Sequence, residues 1–330
     1  MREMSTEHAE DVRAGAVRTF EPADAAAWDE LVARSVNGTL QHTRRFLAYH
    51  GDRFRDRSLL VTDNRGRLVG VFPAAEDPAA PALVTSHPGS TYGGLVHDGS
   101  LYGTAVIRVL SEIAGEYRAA GFERMRYRAV PYIYRSATAA DDLYALFRLG
   151  ASRYGCDLAA VIDLARRGRV RNLRNRSRKH AEAAGVRLSQ DWGQIAGFWR
   201  ILEMNLARRH EASPTHSLAE IEYLHGRFPE EIILVTAKIE DALVGGCVFV
   251  LAGPVLHMQY AATAVEGRAS SAADLVLERG ISVARQRGCR YFSFGTSTHG
   301  QGAELNEAQY WFKISFGGGG VTHEHYELVL

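Results

Sequence analysis

Between Glu231 and Thr263 the chain reads EIILVTAKIEDALVGGCVFVLAGPVLHMQYAAT, a stretch that few folds accommodate. Three apolar, β-branched runs are separated only by Glu240-Asp241 and Gly253-Pro254. Such pairs leave room for nothing longer than a tight turn, so the runs form an antiparallel meander. An amphipathic helix, SAADLVLERGISVARQRG, comes next, followed by a strand, RYFSFGTS, and a terminal strand, VTHEHYELVL. This order predicts a mixed, mainly antiparallel sheet flanked by helices.

Upstream, the same plan occurs once before in looser form. AVRTF opens as a strand and ADAAAWDELVARS has the apolar spacing of a helix. Asn37 and Gly38 mark a turn before QHTRRFLAYHGDRF, read as a short helix. SLLVTD and RLVGVFPAA flank Asn64-Arg65-Gly66 as a hairpin. SHPGSTYGGLVHDGS is loop, and YGTAVIRVLSEIAGEYRAAG is a long helix ended by Gly121. FERMRYRAVP and AAVIDL are strands on either side of a helix over DDLYALFRLGA. The second half adds a strand, GVRLSQD, and two helices, GQIAGFWRILEMNLARRH and IEYLHGRFP, before the meander. The expected class is α/β (α+β), with two similar lobes in tandem.

Composition narrows the functional classes. With 330 residues, 46% hydrophobic and 23% charged, both halves can bury a core. Lys plus Arg at 39 against Asp plus Glu at 38 gives +1, so only a local patch can mark a polyanion partner. Cys156, Cys247 and Cys289 are scattered without CxxC spacing, which reads as reduced thiols and not as a disulfide framework or zinc site. No apolar run approaches the ~20 residues of a membrane span, and MREMSTEHAEDVRAG lacks a signal-peptide core. A cytoplasmic protein without a membrane partner is expected.

The one local patch is ARRGRVRNLRNRSRKHAEAAG, rich in Arg with almost no acid. It reads either as a solvated connecting helix or as a surface facing the phosphates of a coenzyme or RNA, with Arg174 and Arg178 as contacts. The expected organisation is a disordered lead-in over 1–14, a first lobe over 15–165, a basic connecting helix over 166–184 and a second lobe over 185–330.

Specific motifs point further. GCRYFSFGTSTHG followed by YWFKISFGGG resembles the signature of Fem-type (FemABX-like) transferases of the GNAT superfamily, in which an "FDFGG"-like strand end precedes a "YRFKxxFGG"-like segment. Gly288, Phe294, Gly295, Phe312, Lys313, Phe316 and Gly317 stand at matching places. The resemblance spans about Val17 to Leu330 and implies two tandem GNAT-like lobes. It also implies transfer of an acyl or aminoacyl group onto an amine, with aminoacyl-tRNA or an acyl-CoA as co-substrate and no permanently bound cofactor. The GNAT pyrophosphate loop, R/Q-x-x-G-x-G/A, is matched only by Ala264-Val265-Glu266-Gly267-Arg268-Ala269. That segment keeps Gly267 and Ala269, lacks the leading Arg or Gln, and carries an acid.

Amide formation needs a neutral amine, a path for its proton and donors for the oxyanion. The resemblance makes Lys313 the oxyanion cation and Phe312 a donor contact, beside Gly267, Arg268 and Ala269. Two histidines of RRHEASPTHS, His210 and His216, are candidate bases or acceptor ligands. Tyr260 is a candidate proton donor to the leaving group, and Tyr92, His299 and Asn306 are candidate acceptor contacts. No histidine spacing supports a metal site, and without a GxSxG elbow direct transfer is expected over an acyl-enzyme. The reading is an N-acyltransferase moving an aminoacyl group from tRNA to a small-molecule amine. The alternatives are an acyl-CoA-dependent GNAT enzyme and a non-catalytic binding protein that retains the fold.

Overall fold

A computed structural model describes residues 14–210 and 213–330. The chain divides into two compact units, Met1–Cys156 with Thr322–Leu330, and Asp157–Val321. Of the lead-in over 1–14, only Ala14 falls among the described residues, where it opens the first strand.

In the N-terminal unit, β1 (Ala14–Thr19) is followed by α1 (Ala25–Arg34) and α2 (Arg44–Leu47). Strands β2 (Leu59–Asp63), β3 (Leu68–Phe72), β4 (Ala75–Asp77), β5 (Ala80–Thr85) and β6 (Val96–His97) come next. Helix α3 (Thr104–Ala119), β7 (Arg124–Arg128), α4 (Asp141–Arg148) and the start of β8 (Ser152–Asp163) complete the first pass. The helix expected over QHTRRFLAYHGDRF is one α-turn between 3-10 segments. There the Asp29 carboxylate accepts the amides of Arg44 and Arg45, and Gly51 breaks the chain direction with a positive φ. β4 and β5 form a hairpin in EDPAAPALVT, where Ala and Pro carry little strand signal. The core of this unit sets Val106, Val109, Leu110, Ile113 and Tyr117 of α3 against Val84, Met125 and Tyr127 of the sheet.

In the C-terminal unit, α5 (Asn172–Ala183), β9 (Val186–Ser189), α6 (Ile195–His210) and α7 (Leu218–Arg227) precede the meander. The meander is β10 (Ile232–Ile239), β11 (Ala242–Ala252) and β12 (Val255–Thr263), antiparallel as the turn pairs require. Then come α8 (Val265–Ala269), α9 (Ala272–Gln286), β13 (Tyr291–Thr296), the short β14 (Thr298–His299) and β15 (Glu304–Leu305), α10 (Glu307–Ile314) and β16 (Gly319–Val329). Strands pair in the order β8-β13-β12-β11-β10-β9 in this unit, and β4-β5-β7-β16 in the N-terminal one. α9 buries Val276, Leu277, Ile281 and Ala284 on Cys247, Phe249 and Phe292. Burying each such side chain contributes roughly 1.5–3 kcal/mol.

Candidate active site

The site of interest lies where β12 and β13 part. They pair in parallel over only Val255–His257 with Tyr291–Ser293. On its other edge β12 is bulged against β11, with Val248 opposite Tyr260 and Phe249 opposite Met258, so Gln259 is the extra residue. β13 is likewise irregular against β8 between Ser293 and Thr296, around Gly295 at φ 71°. Bulges bend and twist the strand that carries them. These two stand where the strands open.

Lys313 projects from α10 into the β13 side of the opening. It is buried at 4% exposure, and its Nζ donates to the carbonyl oxygens of Gly295 (3.2 Å) and Thr296 (2.6 Å). Among the described residues no carboxylate pairs with it. Burial disfavours the ammonium and lowers its pKa to about 8. Gly295, whose carbonyl it holds, lies against the ring of His257 on β12. Ser293 Oγ meets His257 Nδ1 at 3.3 Å and accepts the Gly295 amide at 3.2 Å. The sequence carried no signal for Ser293 or His257, because their pairing exists only across the β12–β13 contact.

On the β12 side, Tyr260 and His216 come together. Their hydroxyl and Nδ1 are 2.5 Å apart, and the His216 amide donates to the same hydroxyl at 3.2 Å. The tautomer with Nδ1 as acceptor fits, because Tyr260 then donates one hydrogen bond and accepts another. Burial raises the Tyr260 pKa, which keeps the phenol protonated at neutral pH. Trp199 of α6 packs edge-on against the Tyr260 ring at 5.1 Å. Tyr260 lies three residues beyond His257 on β12, about 10 Å at the strand rise of ~3.3 Å. His210 ends α6, and its side chain is outside the described residues.

The loop from β12 to α9 carries the expected donor contacts in a different setting. Gly267 is pressed onto β11, so that a Cβ would lie 2.1 Å from the Val244 carbonyl oxygen. The glycine is required for packing. Gly267→Val is therefore expected to destabilise the fold by about 1–3 kcal/mol through overpacking, read as a lower urea midpoint. Arg268 donates to the Thr263 carbonyl at 2.9 Å and to Asn205 at 3.3 Å, and Ala269 closes α8. At the first turn of α9, where a helix dipole favours an anion, Asp274 is itself buried and pairs with Arg174 at 2.9 Å. Burial outweighs the arginine and raises the Asp274 pKa to about 6.

The basic segment divides accordingly. The Arg174 guanidinium, besides its ion pair, lies over Phe312 (4.9 Å) and Phe316 (5.5 Å). Arg167 forks onto Glu278 and donates to the Phe316 carbonyl. Arg178 is exposed with Glu182 at 3.8 Å, and Arg166, Arg169, Arg176 and Lys179 are exposed as well. Phe312 is held between Arg174 and Phe316. Asn306 caps α10 by accepting the Gln309 amide, and His299 is exposed on β14. Tyr92 is interior to the N-terminal unit at 2% exposure, donating to Thr39 Oγ1 and packed on Tyr134. Of the residues expected from sequence, Lys313 is held at the end of β13 and Tyr260 with His216 on β12, the two strands that part there. Among the described residues no group of His, Cys, Asp and Glu is placed to hold a metal, and no helix is long and apolar enough to cross a membrane.

A split sheet followed by a loop and a long helix, with a buried lysine at the split, is the GNAT-like arrangement of the C-terminal unit. Residues 166–309 match the family described as acetyltransferase (GNAT) domain. The fold is that of Fem-type proteins: the chain superposes on the crystal structure of FemX with a TM-score of 0.65 at 13% identity, covering 96% of this chain and 97% of that one. It is also similar to L-PGS from Bacillus licheniformis, with TM-score 0.59, 11% identity and coverages of 93% and 91%. A tandem GNAT protein from the clavulanic acid biosynthesis pathway gives TM-score 0.55, 12% identity and coverages of 94% and 97%. No curated protein matches by sequence.

Proposed function

We propose that this protein is an N-acyltransferase that moves an aminoacyl group from aminoacyl-tRNA to the amine of a small molecule by direct attack. The observation that carries the choice of donor is Asp274. Coenzyme A binding in a GNAT lobe uses the amides and dipole at the start of the long helix for its diphosphate. In this chain that turn holds its own buried carboxylate, tied to Arg174, and Glu266 lies in the short helix α8 just before it. An added diphosphate meets like charge there. The exposed arginines of α5 and the preceding residues supply instead an open basic surface suited to an RNA backbone.

In this reading the acceptor nitrogen attacks the ester carbonyl, and Lys313 Nζ–H faces the developing oxyanion. The carbon–oxygen ester bond then breaks. The proton lost by the amine ends on the leaving ribose oxygen, with the Tyr260 hydroxyl giving one proton and receiving the other. His216 holds that hydroxyl in place.

The acyl-CoA reading draws support from the acetyltransferase family match. Label transfer from a panel of aminoacyl-tRNAs and acyl-CoAs, each with and without ribonuclease, separates the two. Transfer abolished by ribonuclease is expected, with the RNA-dependent rate falling steeply as salt rises. Transfer from a coenzyme A thioester alone would replace the proposed donor.

A further inference from the structure

One face of the N-terminal unit's sheet carries arginines at alternate positions of β7, Arg124, Arg126 and Arg128, about 7 Å apart at the strand rise of ~3.3 Å per residue. Among the described residues the carboxylate serving them is Glu327 of β16, which pairs with Arg126 at 2.9 Å and Arg124 at 3.6 Å. Glu324 is taken by Arg153 and by the Tyr326 hydroxyl. Arg128, half-buried, has no carboxylate within ion-pairing distance among the described residues. Its Nη1 donates to the Ser90 carbonyl at 2.8 Å, and its Nε is buried without a partner.

Two hydroxyls share this predicament. Ser90 Oγ and Thr85 Oγ1 are buried without a hydrogen-bond partner, in residues 5% and 1% exposed. Thr85 is paired in parallel with Arg126, which puts its side chain on the arginine face. The loop bearing Ser90 is fixed to β7 by three bonds: Ser86 amide to Arg126 carbonyl (2.9 Å), Gly93 amide to Arg128 carbonyl (3.0 Å) and Arg128 amide to Ser86 Oγ (2.9 Å). His87 within it has φ 33°, a conformation that L-residues adopt only when the surroundings impose it. Buried orphan polar atoms are rare and costly in folded proteins. Here three such atoms can donate: Arg128 Nε on β7, Ser90 Oγ on the loop and Thr85 Oγ1 at the end of β5.

We propose that Arg128, Ser90 and Thr85 form an oxyanion site in the N-terminal unit, taking the carboxylate or phosphate group of a small molecule. The guanidinium supplies charge and an Nε–H, and the two hydroxyls supply donors that lack any other acceptor. The site is independent of the proposed reaction.

The test is thermal unfolding of the full chain with inorganic phosphate or sodium acetate, each against sodium chloride at matched ionic strength. One of the two anions is expected to raise Tm saturably above chloride, and which one does so identifies the group. Arg128→Gln weakens that binding at least tenfold. Ser90→Ala and Thr85→Val weaken it about 3- to 10-fold, the loss of one hydrogen bond, and the exposed Arg148→Gln leaves it unchanged. Should Arg128→Gln fold poorly, the two hydroxyl variants carry the same test. Absence of any anion effect beyond chloride, or equal binding by wild type and the hydroxyl variants, overturns the site.

Discussion

Lys313→Met lowers kcat for acyl transfer by about 10²- to 10³-fold, the loss seen when one preorganised oxyanion donor is removed. KM for donor and acceptor is expected to change little, because in the proposed reaction the cation acts on charge that appears only in the transition state. Methionine fills similar volume, and Gly295 and Thr296 are only half-buried. A variant that keeps full activity would remove Lys313 from the chemistry.

The same residue sets a pH signature in two measurements. With its pKa lowered by burial to about 8, the cation is lost as pH rises through 8, and kcat/KM falls there instead of near the ordinary lysine value. Stability moves the other way. Between the folded pKa of about 8 and the unfolded value of 10.5, the unfolded chain binds more protons, so ΔG of unfolding rises with pH across that window. Below pH 8 the buried ammonium costs on the order of 3 kcal/mol. The stability of wild type relative to Lys313→Met is therefore expected to improve between pH 8 and 10. Urea titrations at several pH values read it directly, and a pH-independent difference would mean that the amine is not held in a desolvated site.

The contrast between what the sequence carried and what it could not is clearest in the C-terminal unit. The turn pairs Glu240-Asp241 and Gly253-Pro254 dictate the meander because two residues cannot span anything but adjacent antiparallel strands. The glycines of the FKxxFGG segment are legible for a similar reason. Gly317 has φ 90° and meets the Gly168 backbone so closely that a Cβ would lie 2.4 Å from its carbonyl oxygen. Electrostatic pairing is another matter. Arg174 and Asp274 are 100 positions apart, and nothing in a run of arginines distinguishes the one that turns inward from those that face water. Tyr92 shows the same limit: its glycines signal a turn, while the side of that turn which is buried is decided by Thr39, His42 and Tyr134. The return of the last nine residues, Thr322–Leu330, to the N-terminal unit is likewise a long-range choice. A terminal strand carries its periodicity in the sequence and its partner only in the fold.

Tyr260 and His216 yield the other large effect, and it lies in their coupling. Proton transfer by a positioned side chain contributes about 10²- to 10⁴-fold to rate, so Tyr260→Phe should lower kcat by about 10²-fold. In the proposed reaction His216 acts through the Tyr260 hydroxyl, 2.5 Å from its Nδ1. His216→Ala is expected to cost about tenfold by letting that hydroxyl turn away. In the double variant, however, the histidine has nothing left to hold. Tyr260→Phe/His216→Ala should therefore be no slower than Tyr260→Phe alone, the non-additivity of residues that act as a unit. His216→Asn, whose side-chain oxygen can still accept the tyrosine proton, should recover part of the loss. Strict additivity of the two effects would show that the histidine acts elsewhere. An unchanged rate in Tyr260→Phe would leave the leaving oxygen to take its proton from water.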